Sequence, residues 1–476
     1  MVGSKGILVA RRTLLIAGGA IPLGAMLPSW PARATPRLVE YRLTAGIGRL
    51  PLVGEPYPAT EVWYYNGQVP GPEIRVRQGD RLRVIVENRL REETTIHWHS
   101  VRAPNAMDGV PHLTQKPIAP GETFVYEFDV PDAGTFWYHP HQRSFEQVGR
   151  GLSGPLIVVE SEPLAVDRDV TWVLDDWRLT RNAAIADDFG NFMDISHAGR
   201  IGNTVTINGQ IPTTFAARAG ERIRLRLINA ANARIFGLQF QGHEPRVIAL
   251  DGQPVEPHAP QHGQVVLGPA QRADLLLDMT GEPGQTFMVL DAFYWQNRYK
   301  VIDIAYSTAT PLRERISDEV PQLPGNPVSE PDLATAERHE IVFGGGMMGG
   351  GMTRGGGMMG GMMGGMNRDQ IWTINRKSAT GHLHEPLLIL KRDRSYVFAM
   401  HNDTAFHHPI HLHGHAFRVV SRNGRSTRHK EWLDTVLTAP NERTEIAFVA
   451  DNPGDWMIHC HILEHQAGGM MGTFRI

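Results

Sequence analysis

The sequence predicts an all-β protein built of three tandem β-sandwiches or barrels, and three observations carry that expectation. A block of sequence recurs three times along the chain, each copy holds a period-two run rich in Val, Ile and Leu, and long helical periodicity is scarce between the copies. The first copy reads Asn66-Gly67-Gln68-Val69-Pro70 and then Gly79-Asp80-Arg81-Leu82-Arg83-Val84-Ile85-Val86-Glu87-Asn88. The second reads Asn208-Gly209-Gln210-Ile211-Pro212 and then Gly220-Glu221-Arg222-Ile223-Arg224-Leu225-Arg226-Leu227-Ile228-Asn229. A degenerate third has Ile374-Asn375-Arg376 and then Asp393-Arg394-Ser395-Tyr396-Val397-Phe398-Ala399-Met400-His401-Asn402. Each alternating run reads as a strand with one buried face. The copies place domains at 38–165, 166–312 and 335–476, with a linker at 313–334 marked by the Pro-rich stretch from Thr308 to Pro331.

Composition excludes some classes of partner. With 476 residues, 20% charged and 41% hydrophobic, and a formal net charge of -3, no strong field points to nucleic acid or an anionic membrane. Residues 1–34 read as an export signal: Arg11-Arg12 precede an apolar run from Leu14 to Leu27, and Ala32-Arg33-Ala34 supplies a cleavage site of small residues. A membrane anchor is the alternative, but the run is short for a bilayer span. The adjacent arginines look like a twin-arginine signal, and no later segment is apolar enough to span, so a soluble protein of the periplasm is expected.

Cys460 is the only cysteine, so it forms no internal disulfide. It lies in His459-Cys460-His461-Ile462-Leu463-Glu464-His465, with Met470 ten residues after it. A small buried hydrophobe is the ordinary fate of a free Cys, yet Cys, His and a weak axial Met are the donor set of a blue-copper electron-transfer site. On an extended strand Cys460 faces one way while His459 and His461 face the other, so one strand joins two metal sites.

The repeat shows where chemistry is kept. Nine residues after Asn88 comes His97-Trp98-His99, and nine after Asn402 comes His411-Leu412-His413, but the same interval after Asn229 leads to Leu238-Gln239-Phe240. Five residues after Gly134 comes His139-Pro140-His141, and five after Gly454 comes His459-Cys460-His461, whereas Gly284 leads only to Val289-Leu290-Asp291. The outer domains therefore supply ligands, and the middle one holds them together. Each His-x-His pair points both rings from one strand face, which suits convergence of eight imidazoles on a multinuclear centre. Imidazole alone serves copper, zinc, iron or nickel; the thiolate site alongside selects copper. His408 precedes His411 by three residues and faces the cysteine copper, while His407 has the other parity and reads as a non-ligand. The further pairs His382/His384 and, beyond His413, His413/His415 read as solvated or structural.

These four motifs resemble those of the multicopper oxidases, the laccases and bacterial cuprous oxidases, over essentially the whole mature chain. The resemblance implies three cupredoxin-like Greek-key domains and four copper ions, one type 1, one type 2 and two type 3. It implies His408, Cys460, His465 and axial Met470 at type 1 copper, and His97 and His411 at type 2. His99, His139 and His461 match one type 3 ion, and His141, His413 and His459 the other. The implied reaction is one-electron oxidation of a donor at type 1 copper and four-electron reduction of O2 to water at the trinuclear cluster. Asp108, eleven residues after His97, resembles the family's proton relay; a turn-forming Asp before Gly109 is the plain alternative.

Three features depart from the family pattern. Ser100 follows the first pair where Gly is usual, Gln466 follows His465 where relatives carry Glu, and Thr404 stands where some cuprous oxidases place Asp, with Asp403 adjacent. An amide cannot exchange a proton as a carboxylate does, so Gln466 bears on proton delivery. Residues 344–366 contain 13 Gly and eight Met in 23 positions. A flexible linker explains the glycines, but thioethers are soft ligands suited to Cu(I), and similar insertions occur in periplasmic cuprous oxidases. The expected function is an exported, monomeric multicopper oxidase acting on Cu(I), phenols or aromatic amines, in copper tolerance. A laccase with an organic donor and a non-catalytic copper-binding protein are the alternatives.

Overall fold

The computed structural model describes residues 36–347, 370–379 and 385–476. The expected export signal, most of the Gly/Met segment and the pair His382/His384 lie outside the described residues. From Arg37 to Ile476 the chain forms one contact unit. No helix in the described part is long and apolar enough to cross a membrane.

The described chain is all-β, with sheets that fall into three pairs along the sequence. The threefold repeat is visible in the pairing. Leu38–Leu50 runs parallel to Arg81–Asn88, which pairs antiparallel with Thr123–Asp129. Arg168–Trp177, Arg222–Asn229 and Arg272–Asp278 repeat that parallel-then-antiparallel order, as do Glu337–Gly345, Ser395–Asn402 and Arg443–Val449. The partner sheets repeat as well: His97–His99 beside Gly134–His139, Phe236–Phe240 beside Thr286–Asp291, and His408–Leu412 beside Asp455–Cys460.

Each alternating run was expected to bury one face. Arg81–Asn88 does so, placing Leu82, Val84, Val86 and Asn88 inward. Arg222–Asn229 instead buries every residue. Its second face is covered because Arg224 pairs with Glu160 and Asp274, and Arg226 with Asp169 and Asp274, so the arginines are neutralised between the first and second sheet pairs.

The repeated Asn that ends each run is fully buried and ties the chain that follows. Asn88 Nδ2 donates to the Glu92 and Ile118 carbonyls, Asn229 Nδ2 to Arg234 and Leu267, and Asn402 Nδ2 to Phe406, Thr438 and Ala439. Each side-chain oxygen also accepts from the amide two residues on, in Leu90, Ala231 and Thr404. The ties fix where the next strand starts, and that strand carries His97 and His99 in the first copy and His408 and His411 in the third.

The stretch expected as a linker is packed against its neighbours. Leu323 is buried against Ile248, Ala249 and Leu276. Arg222 donates to the Ser317 and Glu319 carbonyls, Asn326 bonds Ala133 and Gly252, and Glu330 pairs with Arg418.

Candidate metal centre

Cys460 closes the strand Asp455–Cys460 and lies opposite Ile410 of His408–Leu412 in the antiparallel ladder. That register sets His408 beside it, and the short helix Leu463–Ala467 brings His465 back over the same spot. Cys460 Sγ is 3.4 Å from His408 Nδ1 and 3.7 Å from His465 Nδ1, and the two nitrogens are 3.1 Å apart. Cys460, His408, His465 and Met470 are all 0% exposed, so the trio is sealed. The Cys460 amide donates to the Met470 carbonyl at 3.0 Å, which holds Met470 next to the trio.

Hydrogen bonds fix which nitrogens carry lone pairs. His465 Nε2 donates to the His197 carbonyl at 2.5 Å, so Nδ1 is bare. Thr404 Oγ1 spends its one proton on Asn402 Oδ1, 2.7 Å away, and therefore accepts from His408 Nε2 at 2.8 Å, which leaves His408 Nδ1 bare too. Two lone pairs and a sulfur thus converge in a dry site. Burial lowers both imidazoles and raises the Cys460 thiol, so protonation does not resolve the conflict. A soft cation that replaces the thiol proton does, and the donor set fits copper.

On the other face of the strand, His459 and His461 join the remaining pairs. His97 lies opposite His139, and His411 opposite His459, in the two ladders. His97 stacks on His413 with ring centroids 4.0 Å apart, and His99 on His411 at 3.9 Å. All eight rings are buried. His97 Nδ1 donates to the Asp108 carbonyl, His411 Nδ1 to the Asp434 carbonyl, His139 Nδ1 to Pro140 and His459 Nδ1 to Cys460. His413 Nδ1 donates to Asp108 Oδ2 at 2.9 Å. Each leaves a bare Nε2 facing inward, and those of His413 and His459 are only 3.0 Å apart. His97 Nε2, His99 Nδ1, His141 Nε2, His411 Nε2 and His461 Nδ1 are buried without any hydrogen-bond partner. Burial first, and then neighbouring imidazoles, lower His99, His139, His141, His413 and His461 well below the ordinary value. A neutral cluster with orphaned, inward-facing lone pairs suits metal cations.

The groups with donor atoms within 4.8 Å of one another include His97/His99/His139, His97/His411/His413 and His141/His413/His459. His461 Nε2 stands 3.4 Å from His139 Nε2, and its ring centroid is 5.0 Å from that of His99. His407 packs against Phe293 and is not in the group that gathers at Cys460. His415 is buried against Phe448, Trp456 and Phe474, a structural position and not a solvated one.

Asp108 precedes Gly109 in a tight turn. Gly109 has φ +81 and a Cβ there would fall 1.8 Å from the Ile96 carbonyl, so the turn is tightly built. The turn presents the carboxylate to His413 and the carbonyl to His97. Thr404 is buried at His408, whereas Asp403 is exposed. Gln466 accepts from Ser144 Oγ at 3.3 Å and lines, with His112, Met457 and Met471, a cleft of about 350 Å³ that reaches His141.

Sequence reasoning missed Asp434, which joins His99 and His411 within 4.8 Å. Its Oδ1 accepts from His99 Nε2 at 3.2 Å, and both oxygens take Arg272 at 3.0 and 2.7 Å. Burial opposes the charge, but Arg272 and His411 hold Asp434 below the usual carboxylate range. Asp251 accepts from the Asp434 and Thr435 amides, and burial and the Asp434 charge raise it. The middle sheets thus supply Arg272 and Asp251 to support the cluster. Neither stands in a motif; the one signal in the sequence is a charged Arg272 at the head of the apolar strand Arg272–Asp278.

Family models for multicopper oxidases match residues 52–163, 168–310 and 359–476. The chain belongs to the multicopper oxidase family. It is 30% identical to multicopper oxidase MmcO of Mycobacterium tuberculosis, over 91% of this chain and 86% of that protein. Copper resistance protein A of Escherichia coli is 25% identical, with 94% of each chain covered. Among solved structures, a multi-copper oxidase from Pseudomonas thermotolerans is 35% identical with a TM-score of 0.81, covering 93% of this chain and 100% of that one. As a multicopper oxidase the protein is a copper-binding oxidoreductase with cupredoxin-like architecture, and its family uses O2 and reducing substrates.

Proposed function

We propose that this multicopper oxidase is an exported, monomeric enzyme of the periplasm that oxidises Cu(I), and phenols secondarily, while reducing O2 to water in copper tolerance. The observation that carries the reading is the set of inward lone pairs: a trio at Cys460 and a separate eight-imidazole cluster joined by one strand. In this reading His408, Cys460, His465 and Met470 would hold the type 1 ion. His97 and His411 would hold the type 2 ion, and His99/His139/His461 with His141/His413/His459 would hold the type 3 pair. The division at 38–165, 166–312 and 335–476 follows the repeat, and export by the twin-arginine route follows the first 34 residues.

Bound copper supplies one-electron redox at each of the two centres. The chain's own groups do the rest. Cys460 carries an electron from the trio through its backbone to His459 and His461, its neighbours on the opposite face. Burial of the trio keeps the donor apart from the oxygen chemistry. Asp108, bonded to His413 and reaching His97, passes protons to the cluster, and the cleft reaching His141 admits O2 and releases water.

Methionines in residues 344–366 favour Cu(I) over an organic donor. Met347, at the start of that run, donates its amide to the Ser196 carbonyl at 3.2 Å, and the Trp372 ring beyond it lies tilted against His465 with centroids 4.3 Å apart. Oxygen uptake with Cu(I) and with a phenol, for the parent and a 348–366 deletion side by side, tests the donor. The deletion should slow Cu(I) oxidation at limiting concentration and leave phenol oxidation equal or faster. Unchanged Cu(I) kinetics would make the stretch a linker and favour the organic-donor laccase.

A further inference from the structure

No imidazole edge of the Cys460 trio reaches solvent. The outward nitrogen of His408 is taken by buried Thr404, and that of His465 by the main-chain carbonyl of His197. The His197 main chain therefore covers the outward edge of His465.

That segment is clamped in place. Asn191 caps the helix Phe192–Ser196 by accepting from the Asp194 amide at 2.9 Å. Trp372 Nε1 donates to the Ile195 carbonyl at 2.6 Å, and Glu464 Oε2 accepts from the Arg200 amide at 3.1 Å. Gly199, at φ +80, lies where a Cβ would be 2.5 Å from Ile462 Cγ2 and 2.6 Å from Ala233 Cβ. Two of these anchors, Ile462 and Glu464, precede His465 by three residues and one, so the strap is tied to the chain that carries His465.

His197 is half-buried, with Nδ1 2.9 Å from Ser196 Oγ. The single Ser196 hydroxyl proton is claimed by the Phe192 carbonyl at 2.6 Å. His197 Nδ1 must then donate, which leaves the lone pair on Nε2. The His197 amide bonds the Met193 carbonyl at 3.1 Å, and Met193, one turn earlier, is 60% exposed. An imidazole lone pair and a thioether are donors suited to Cu(I).

We infer that His197, with Met193, is where Cu(I) docks to deliver its electron, and that the His197 carbonyl and the His465 Nε2–H form the path inward. The inference rests on the Cu(I) reading above. Each docked Cu(I) loses one electron and leaves as Cu(II). O2, the oxidant of the family reaction, takes four such electrons with four protons to give two waters.

The test uses the full copper-loaded protein and Ag(I), a redox-inert mimic of Cu(I), with bound silver counted as a difference between variants because other methionines hold Ag(I) in all of them. His197→Ala should lose one Ag(I) and raise KM for Cu(I) about tenfold. His197→Met, which restores a soft donor, should regain both. Met193→Leu should weaken Ag(I) binding in the same direction. The blue absorption of each variant checks that the trio is intact. Equal silver content and equal KM in parent and His197→Ala overturn the site, as does a His197→Met variant no better than the alanine. A rise in KM for a phenol but not for Cu(I) also overturns it, by making the strap a site for organic donors. A parent that binds the Ag(I) but does not oxidise Cu(I) defeats the donor reading instead, and with it the use of the site in turnover.

Discussion

Asp108 Oδ2 lies 2.9 Å from His413 Nδ1, across 305 residues of chain. The same Asp108 receives His97 on its main-chain oxygen at 2.7 Å. One acidic residue of the first sheet pair therefore orients a ring from each side of the cluster.

Asp108→Asn keeps the turn and one acceptor but removes the exchangeable carboxylate. Reduction of O2 should slow by roughly 10²-fold, a usual scale for losing a proton-transfer group, while donor oxidation changes far less. Stopped-flow measurement of the two half-reactions separates them. Equal effects on both would return Asp108 to a purely structural role.

Arg272 is 0% exposed as a side chain, between Asp251 and Asp434. Arg272→Met strands two buried carboxylates, and breaking such a pair costs about 3–5 kcal/mol. Thermal unfolding of the variant should show a large drop in Tm and weaker retention of copper at His99 and His411. A near-parental Tm would mean that the network carries no stability.

Asp175 is held well above the usual carboxylate range, chiefly by burial and then by the charge of Asp176. A raised folded-state value means that the native protein binds the proton more tightly than the unfolded chain. Stability contributed by the protonated form is thus present below the ordinary Asp value near 3.8 and declines as pH rises above it, by about 1.4 kcal/mol per unit while the difference lasts. Asp175→Asn keeps an oxygen for the Asp176 amide, which the carboxylate accepts at 2.7 Å. Denaturant titrations from pH 4 to 7 should show a flatter profile for the variant and greater stability at neutral pH. Parallel profiles would show that Asp175 titrates normally.

Much of the site was legible because its signals are periodic. Strand parity put His408 with Cys460 and His411 with the opposite face, and the intervals after Asn88 and Asn402 located two histidine pairs. The repeat likewise located the strands Arg81–Asn88, Arg222–Asn229 and Ser395–Asn402, though not that Arg222–Asn229 would be covered on both faces, since that depends on Glu160 and Asp169 from outside the strand. What was missed is non-periodic. Arg272 and Asp434 stand 162 residues apart, and Glu464 reaches Arg200 across 264, so only the folded chain brings them together. Thr404 reads as a plain departure until the bond to His408 shows what it does.

In the proposed function Cys460 joins a donor-oxidising centre to an oxygen-reducing one. The most direct measurement compares copper-loaded parent with Cys460→Ser for copper content, blue absorption and donor-driven O2 uptake. Parent protein should hold four copper ions, be blue and consume O2 with Cu(I). The serine variant should lose one copper, the colour and the uptake together, because the thiolate supplies both the absorption and the electron path. A colourless Cys460→Ser protein that still consumed O2 at the parental rate would contradict the account.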